Sequence, residues 1–387
     1  MTDVSTADSF VSQARELTGL EDFGSGSFRE GLEAYCDSVF SEASLNDLGV
    51  AAIGSAIVTS LSNRLRVVGW AGSHPEVVDE TVERPLVIAG MFRAGTTLLS
   101  NLLDQDPGNR CLLRWESSDS VPPPTPETFR SGPRVEAARA EIEMLEQLNP
   151  RAVAVHHEDA NGPTECIAVM SQDFKSLSWE AISNVPSYAA WLQEADQRSA
   201  YEYHRLVLQV LQAGGVRGRW ALKSPHHAIA LDALHSVYPD ARVVVIHRDP
   251  ELLCGSVFSL ISALSSTFSD ADHTAYIASH WTDMLEISIA RMEAFRSAHP
   301  DQIVVDVRYD ELTRDPVGTV AAIYEAVGDR LAPNAKEAMS GYMTEHPKGE
   351  LGEHRYDLSD FGVDRGAIRE RFSGYAERYG VEQGGYR

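Results

Sequence analysis

The sequence predicts an α/β fold: a parallel sheet flanked by helices, with an N-terminal helical extension. Short, continuous apolar runs occur at residues 85–90, 219–222 and 242–247, and each leads through a turn into a helix-like segment. Continuous apolar strands that alternate with helices are typical of a parallel sheet covered on both faces. Residues 1–80, in contrast, carry apolar residues at helical spacing and show no strong strand pattern.

The first two predicted helices lie within residues 31–41 and 45–65, and the pattern changes to a strand just after Arg84. We therefore divide the chain into an N-terminal helical segment, residues 1–80, and a main domain, residues 81–387. The helical segment is expected to pack on the main domain.

In the main domain, helices are expected at residues 135–148 and 188–213. A proline-rich connection at residues 121–134 precedes them and should lack regular structure. A further apolar run at residues 303–307 predicts a strand before a helix at residues 317–327.

Composition limits the partners. The 387 residues are 43% hydrophobic, enough for a sizeable core. Acidic residues outnumber basic ones by 57 to 33, and the formal net charge is −24. Nucleic acids and anionic membranes require a basic surface, so neither is expected as a partner. Any phosphate must instead be held by a local cluster of basic groups.

The cysteines and the N-terminus indicate a cytoplasmic location. No CxxC pair occurs, which argues against a disulfide framework or a structural zinc and fits a reducing compartment. The first ten residues are polar and acidic, unlike a signal peptide, and no membrane span is expected. The four cysteines are expected to be buried small hydrophobic residues: Cys36, Cys111, Cys166 and Cys254.

Basic residues follow three of the predicted strands. Arg93 follows the first, Lys223 the second together with His226 and His227, and Arg248 the third. The carboxyl ends of parallel strands share one edge of a sheet, where ligands bind, so these side chains should converge on one crevice. Each is followed by a helix start, whose free N–H groups favour anions.

The first junction reads GMFRAGTT over residues 90–97. The N–H groups from Gly95 to Leu98, with the hydroxyls of Thr96 and Thr97, form a predicted cradle for a 5′-phosphate. The strand–turn–helix arrangement is P-loop-like, but the GxxxxGK[ST] pattern is missing, which counts against ATP with magnesium.

The third junction reads HRDP. Asp249 suits the helix cap and Pro250 the first turn, so neither requires a ligand. Arg248 has no such structural reason, and Ser256 lies two helical turns beyond the cap, on the same face. The pair predicts a second phosphate site, and two sites imply a bisphosphorylated nucleotide.

These motifs resemble the PAPS-dependent sulfotransferase family (PAPS is 3′-phosphoadenosine 5′-phosphosulfate), in its bacterial branch with the loop R-[ST]-G-T-T-L-L. The chain departs from that loop at Ala94, which replaces a hydroxyl residue. The resemblance covers most of the chain. It rests on residues 93–99 (RAGTTLL), 162–166 (GPTEC), 220–227 (WALKSPHH), 238–250 (YPDARVVVIHRDP), 348–356 (KGELGEHRY) and 360–362 (DFG).

The resemblance implies a donor site built from two groups of residues. The 5′-phosphosulfate loop comprises Arg93, Ala94, Gly95, Thr96, Thr97 and Leu98. The residues implied around the 3′-phosphate and adenine are Arg248, Ser256, Tyr309, Lys348 and Gly349.

The implied reaction is in-line transfer of the sulfuryl group to a hydroxyl of a small organic acceptor. Charge on the transferred group must be stabilised, and Arg93 and Lys223 are the expected residues. A phosphate is already a good leaving group, and the sequence has no clear carboxylate cage, so no metal is expected.

His226 is the first candidate for the base, since the resemblance implies a histidine shortly after the Lys223 position. A helix N-terminus and Lys223 would both keep its imidazole neutral. The competing candidates are His227, His156, His157 and Glu165.

Two other functions fit parts of the pattern: a nucleotide or small-molecule kinase on a P-loop-like fold, and a non-catalytic nucleotide-binding protein. The missing Walker lysine–hydroxyl pair and the HRDP element oppose the kinase. The predicted lysine and base beside the donor site oppose a simple binder. The pattern leaves the acceptor's identity open.

Overall fold

The computed structural model describes residues 6–90, 92–151, 158–347 and 357–384. Its five strands form one sheet in the order β2-β3-β1-β4-β5, and every neighbouring pair is parallel. The strands are β1 (Leu86–Ala89), β2 (Asn109–Cys111), β3 (Arg219–Ser224), β4 (Arg242–His247) and β5 (Val304–Arg308).

The helices surround this sheet, and short 3₁₀ turns link some of them. In chain order they are α1 (Ala7–Thr18), α2 (Phe28–Glu42), α3 (Asp47–Ser73), α4 (Thr96–Leu103), α5 (Arg114–Ser118), α6 (Pro133–Leu148), α7 (Ile167–Met170), α8 (Leu177–Ile182), α9 (Pro186–Glu194), α10 (Arg198–Ala213), α11 (Leu231–Val237), α12 (Pro250–Ser265), α13 (Thr274–Ala298), α14 (Tyr309–Arg314), α15 (Pro316–Ala326), α16 (Pro333–Glu345), α17 (Arg365–Arg371) and α18 (Ser373–Tyr379).

The predicted α/β class is confirmed, and the four predicted strands lie within two residues of their expected positions. Strand β2 was not predicted, because its three residues, NRC, form no apolar run. The single helix expected over residues 188–213 is two helices, α9 and α10. Ala195 is extended, and the Asp196 carboxylate accepts a hydrogen bond from the Arg198 N–H, which starts the second helix.

The N-terminal helices share a hydrophobic core with the sheet. Phe10, Leu32 and Leu61 belong to the same buried cluster as Val87 and Ile88 of β1. The division at residue 80 remains a prediction.

Helix α3 is fixed within the fold by a buried ion pair. Its Arg64 guanidinium lies 2.9 Å from the Asp173 carboxylate and also donates hydrogen bonds to the carbonyls of Phe23 and Ser25. In the described part of the chain, α3 alone is long and apolar enough to cross a membrane by composition, and half of its most apolar window is buried.

A second buried ion pair fastens the edge strand β2. Arg110 and Glu116 are almost fully buried and make two parallel hydrogen bonds of 3.0 and 2.6 Å. The Arg110 guanidinium also lies 4.6 Å from the Phe129 ring and 4.4 Å from the Trp220 ring. Glu116 accepts a further hydrogen bond from the Leu113 N–H.

Removing one partner of this pair would leave a buried charge uncompensated. Arg110→Met should lower the free energy of unfolding by about 3–5 kcal/mol, because the Glu116 carboxylate loses its counter-ion. The double variant Arg110→Met/Glu116→Gln should recover roughly half of this loss, since no charge remains. Arg139→Met, which breaks an exposed pair with Glu136, should cost less than about 1 kcal/mol. Urea unfolding measures all three, and equal losses in the single and double variants would contradict the argument.

Candidate functional site

The carboxyl ends of β3, β1 and β4 lie side by side. Ala89, at the end of β1, is level with Ser224 of β3 and Val245 of β4. The chain therefore leaves three adjacent strands at the same edge, as expected for a ligand-binding crevice in an open parallel sheet. Arg248 contacts Arg93 directly, and Lys223 contacts Thr97 in the turn that follows Arg93.

The turn between β1 and α4 depends on Gly95. This residue caps α4 with φ +98°, in the left-handed region that favours glycine. A Cβ added there would lie 2.7 Å from Cδ2 of Tyr309. Thr97 is exposed and Ala94 is completely buried. The turn thus presents the first N–H groups of α4, with their positive dipole end, at the crevice.

Arg93 and Arg248 meet beside this turn. The Arg93 side chain donates a hydrogen bond from Nε to Oγ of the buried Ser256, at 2.9 Å. Arg248 donates from Nη1 to the carbonyl of Arg93, which has a left-handed backbone with φ +69°. The Arg248 guanidinium lies 4.1 Å from the centre of the Tyr309 ring. The structure therefore joins four of the predicted donor-site residues in one cluster.

Lys223 faces the same crevice from β3. Its Nζ donates to Oγ1 of Thr97 at 3.2 Å and lies 4.0 Å from Oε1 of Glu165. The Lys223 side chain is 4% exposed and that of Glu165 is 13% exposed. Glu165 is therefore close enough to the lysine for a reacting hydroxyl to contact both groups.

The backbone around Glu165 is tied to the strand ends. The Cys166 N–H donates to the carbonyl of Lys223 at 2.9 Å, and the Thr164 N–H donates to the carbonyl of Leu112 at 2.8 Å. These bonds hold the Glu165 side chain above the end of β3. Its position depends on contacts between distant segments, so the sequence pattern named Glu165 only as one candidate among several.

The His226 side chain is enclosed by other parts of the protein. It is fully buried; its Nδ1 accepts a hydrogen bond from the Leu177 N–H at 3.3 Å, and its Nε2 bonds to Oε1 of Gln197. Burial, with a smaller effect from Arg291, lowers the pKa of His226 to about 3. The imidazole is thus neutral as expected, but chiefly because it is buried, and both nitrogens are occupied. These contacts do not support His226 as the base.

His227 is also fully buried, and its Nδ1 lies 2.8 Å from the Tyr201 hydroxyl. Burial lowers its pKa well below the usual value, with smaller effects from His204 and His226. The partners Gln197 and Tyr201 lie on or beside α10, and no local sequence signal connects them to the histidines.

Four predicted residues lie outside the described part of the chain: Lys348, Gly349, His156 and His157. Among the residues that are described, no group of three or more His, Cys, Asp or Glu side chains is placed to hold a metal ion. The metal-free reaction remains a prediction.

Comparisons with known proteins agree on one family. The model of the sulfotransferase family matches residues 85–333. The crystal structure of sulfotransferase STF9 from Mycobacterium avium matches with a TM-score of 0.91 and 34% identity, covering 99% of each chain. Sulfotransferase STF1 from Mycobacterium tuberculosis H37Rv matches with a TM-score of 0.86 and 34% identity, over 97% of this chain and 100% of that one.

A more distant relative is the omega-hydroxy-beta-dihydromenaquinone-9 sulfotransferase Stf3 of Mycobacterium tuberculosis. It is 22% identical over 323 residues, which are 79% of this chain and 78% of the relative.

The burial of neutral His226 makes stability depend on pH. Its folded-state pKa of about 3 lies below the unfolded value of about 6.5, so only the unfolded chain gains a proton as the pH falls between them. Wild-type stability should therefore drop on acidification from about pH 7.5 to about pH 5.0, and His226→Asn should remove about 2 kcal/mol of that drop.

Urea unfolding at the two pH values measures this difference. His204, also fully buried with its pKa lowered to about 3, supplies a matched variant, and His204→Asn should remove a similar share. Equal drops in the wild type and in both variants would show that these histidines are not buried in their neutral form.

Proposed function

This chain belongs to the sulfotransferase family, and we propose that it transfers the sulfuryl group of PAPS to a hydroxyl of a small organic acceptor. One observation carries the proposal. Three cationic side chains, those of Arg93, Lys223 and Arg248, converge at the ends of adjacent strands in a chain with a net charge of −24. A local cationic cluster in an acidic protein is suited to a ligand with several negative charges.

The proposed donor lies across the ends of the strands. Its 5′-phosphosulfate occupies the turn from Arg93 to Leu98, where the N–H groups of α4 and the Arg93 and Lys223 side chains bind its oxygens. Its 3′-phosphate binds Arg248 and Ser256, with Lys348 and Gly349 assigned to the same end. Tyr309 lies beside the adenine.

In the proposed reaction, the acceptor oxygen forms a bond to sulfur while the bond between sulfur and the 5′-phosphate oxygen breaks. The desulfated nucleotide, PAP (3′-phosphoadenosine 5′-phosphate), is the leaving group. Arg93 and Lys223 stabilise charge on the transferred group and on the leaving oxygen. The hydroxyl proton passes to the Glu165 carboxylate, which we favour over His226 because it lies 4.0 Å from Lys223 Nζ and retains some exposure.

The name of one relative suggests which class of acceptor to test first. Stf3 is named for a hydroxylated menaquinone, so a lipid alcohol is the first class to screen, followed by phenols and sterols.

We also propose a cytoplasmic location. The four cysteines are buried and free, which is consistent with a reducing compartment.

The donor assignment predicts that binding requires the 3′-phosphate. PAP should raise the melting temperature without magnesium and bind more tightly than 5′-AMP, which lacks that phosphate. Arg248→Met should weaken PAP binding by about 1.5–3 kcal/mol, the scale of a hydrogen bond to a charged group, and should affect 5′-AMP far less. Arg314→Met is the control, because Arg314 is 70% exposed and pairs with the exposed Asp310. Equal wild-type affinities for PAP and 5′-AMP would contradict the assignment.

The base assignment predicts an acceptor-dependent loss of turnover. Glu165→Gln should lower turnover with an alcohol acceptor by roughly 10²–10⁴-fold without weakening PAP binding, and should lower it less with acidic phenols. Glu158→Gln, in the same segment but paired with Arg114, is the control and should retain its turnover. Turnover of labelled PAPS measures the effect. If His226→Asn shows the acceptor dependence and Glu165→Gln does not, then His226 is the base.

A further inference from the structure

The C-terminal part of the chain docks on the junction between β4 and α12, which carries Arg248. Three alternating residues of the junction contact C-terminal residues: His247, Asp249 and Glu251. They flank Arg248 on both sides, so the position of Arg248 is set by residues far along the chain.

Glu251 is the centre of this contact. Its carboxylate is completely buried, and Oε2 accepts a 2.7 Å hydrogen bond from Nε of Arg369 on α17. Its other oxygen, Oε1, lies 3.6 Å from Nη1 of Arg365, one helical turn earlier on the same face. Both arginines are more than 40% exposed, so they reach inward from the surface to a buried anion. Burying a carboxylate without such partners lowers the stability of the folded state by several kcal/mol.

Asp249 and His247 add two further links. Asp249 caps α12 by accepting a hydrogen bond from the Glu251 N–H, and its second oxygen accepts one from the Gly384 N–H at 2.9 Å. His247 lies 3.1 Å from the Tyr375 hydroxyl and stacks on the Tyr379 ring at 3.9 Å. The C-terminal helices therefore hold both flanks of Arg248.

We propose that Arg369 and Arg365, acting through Glu251, are positioning residues for the 3′-phosphate half of the donor site. The inference rests on the proposed function, in which Arg248 binds that phosphate. Glu251 lies three residues from Arg248, so its carboxylate would repel the 3′-phosphate if it were not neutralised. The two arginines neutralise the carboxylate and fix the backbone that aims Arg248.

The test compares ligands with and without a 3′-phosphate. Arg369→Met should weaken PAP binding roughly tenfold, which is the scale of the repulsion between two like charges near a protein surface, here the Glu251 carboxylate and the 3′-phosphate. It should change 5′-AMP binding by less than about twofold. Adding Glu251→Gln removes the uncompensated charge, so the double variant Arg369→Met/Glu251→Gln should bind PAP within about threefold of the wild type. Isothermal titration calorimetry measures both ligands.

Two further variants separate positioning from general stabilisation. Arg378→Met breaks a pair between α18 and Glu293 of α13 that does not involve the junction, and it should leave PAP and 5′-AMP binding unchanged. Arg369→Lys keeps the positive charge and should weaken PAP binding by less than about threefold, even if Arg369→Met does not fold.

Three results would overturn the inference: unchanged PAP affinity in a folded Arg369→Met, equal weakening of PAP and 5′-AMP, or no recovery in the double variant. If Arg369→Met does not fold, Arg369→Lys decides the question. The inference is overturned if this variant binds PAP ten times more weakly than the wild type, or if its PAP binding is weakened no more than its 5′-AMP binding. Equal wild-type affinities for PAP and 5′-AMP would instead refute the proposed donor site itself.

Discussion

The parallel register of β3, β1 and β4 is the constraint on which the rest of the site depends. It brings Arg93, Lys223 and Arg248 to one edge of the sheet, where like charges repel each other. Among the described residues, these cations donate hydrogen bonds to the Ser256 and Thr97 hydroxyls and to the Arg93 carbonyl, and Lys223 also lies 4.0 Å from the Glu165 carboxylate. A ligand with several anionic oxygens would satisfy the same donors more strongly, because charge-assisted hydrogen bonds are the stronger kind.

Three buried charged groups hold segments of the chain in place. The Arg64–Asp173 pair fastens α3 to the segment that follows α7, and Arg110 fastens the edge strand through Glu116. Glu251 plays the corresponding part for the C-terminal helices. A buried ion pair contributes little net stability, but breaking it is costly, so it favours one arrangement of the segments over others.

Glu165 and His226 differ in how deeply their side chains are buried, and this difference bears on which of them can act as the base. Glu165 stays partly exposed beside the Lys223 amine, while His226 is enclosed by Leu177 and Gln197. A group that exchanges a proton with an acceptor must be reachable by that acceptor. Exposure therefore favours the carboxylate, although both side chains are chemically suited to act as a base.

The sequence by itself determined the α/β class, four of the five strands found in the described residues, the glycine-dependent turn and the basic residues at three strand ends. These features depend on local patterns: apolar runs, a glycine required by the backbone, and charges that follow a strand. Only the tertiary structure decided that His226 faces inward, that Glu165 faces Lys223, and that Arg369 reaches Glu251. Gln197 lies 29 residues before His226, and Arg369 lies 118 residues after Glu251. Contacts over such separations depend on how the helices pack on the sheet, and the local spacing of apolar residues does not predict them.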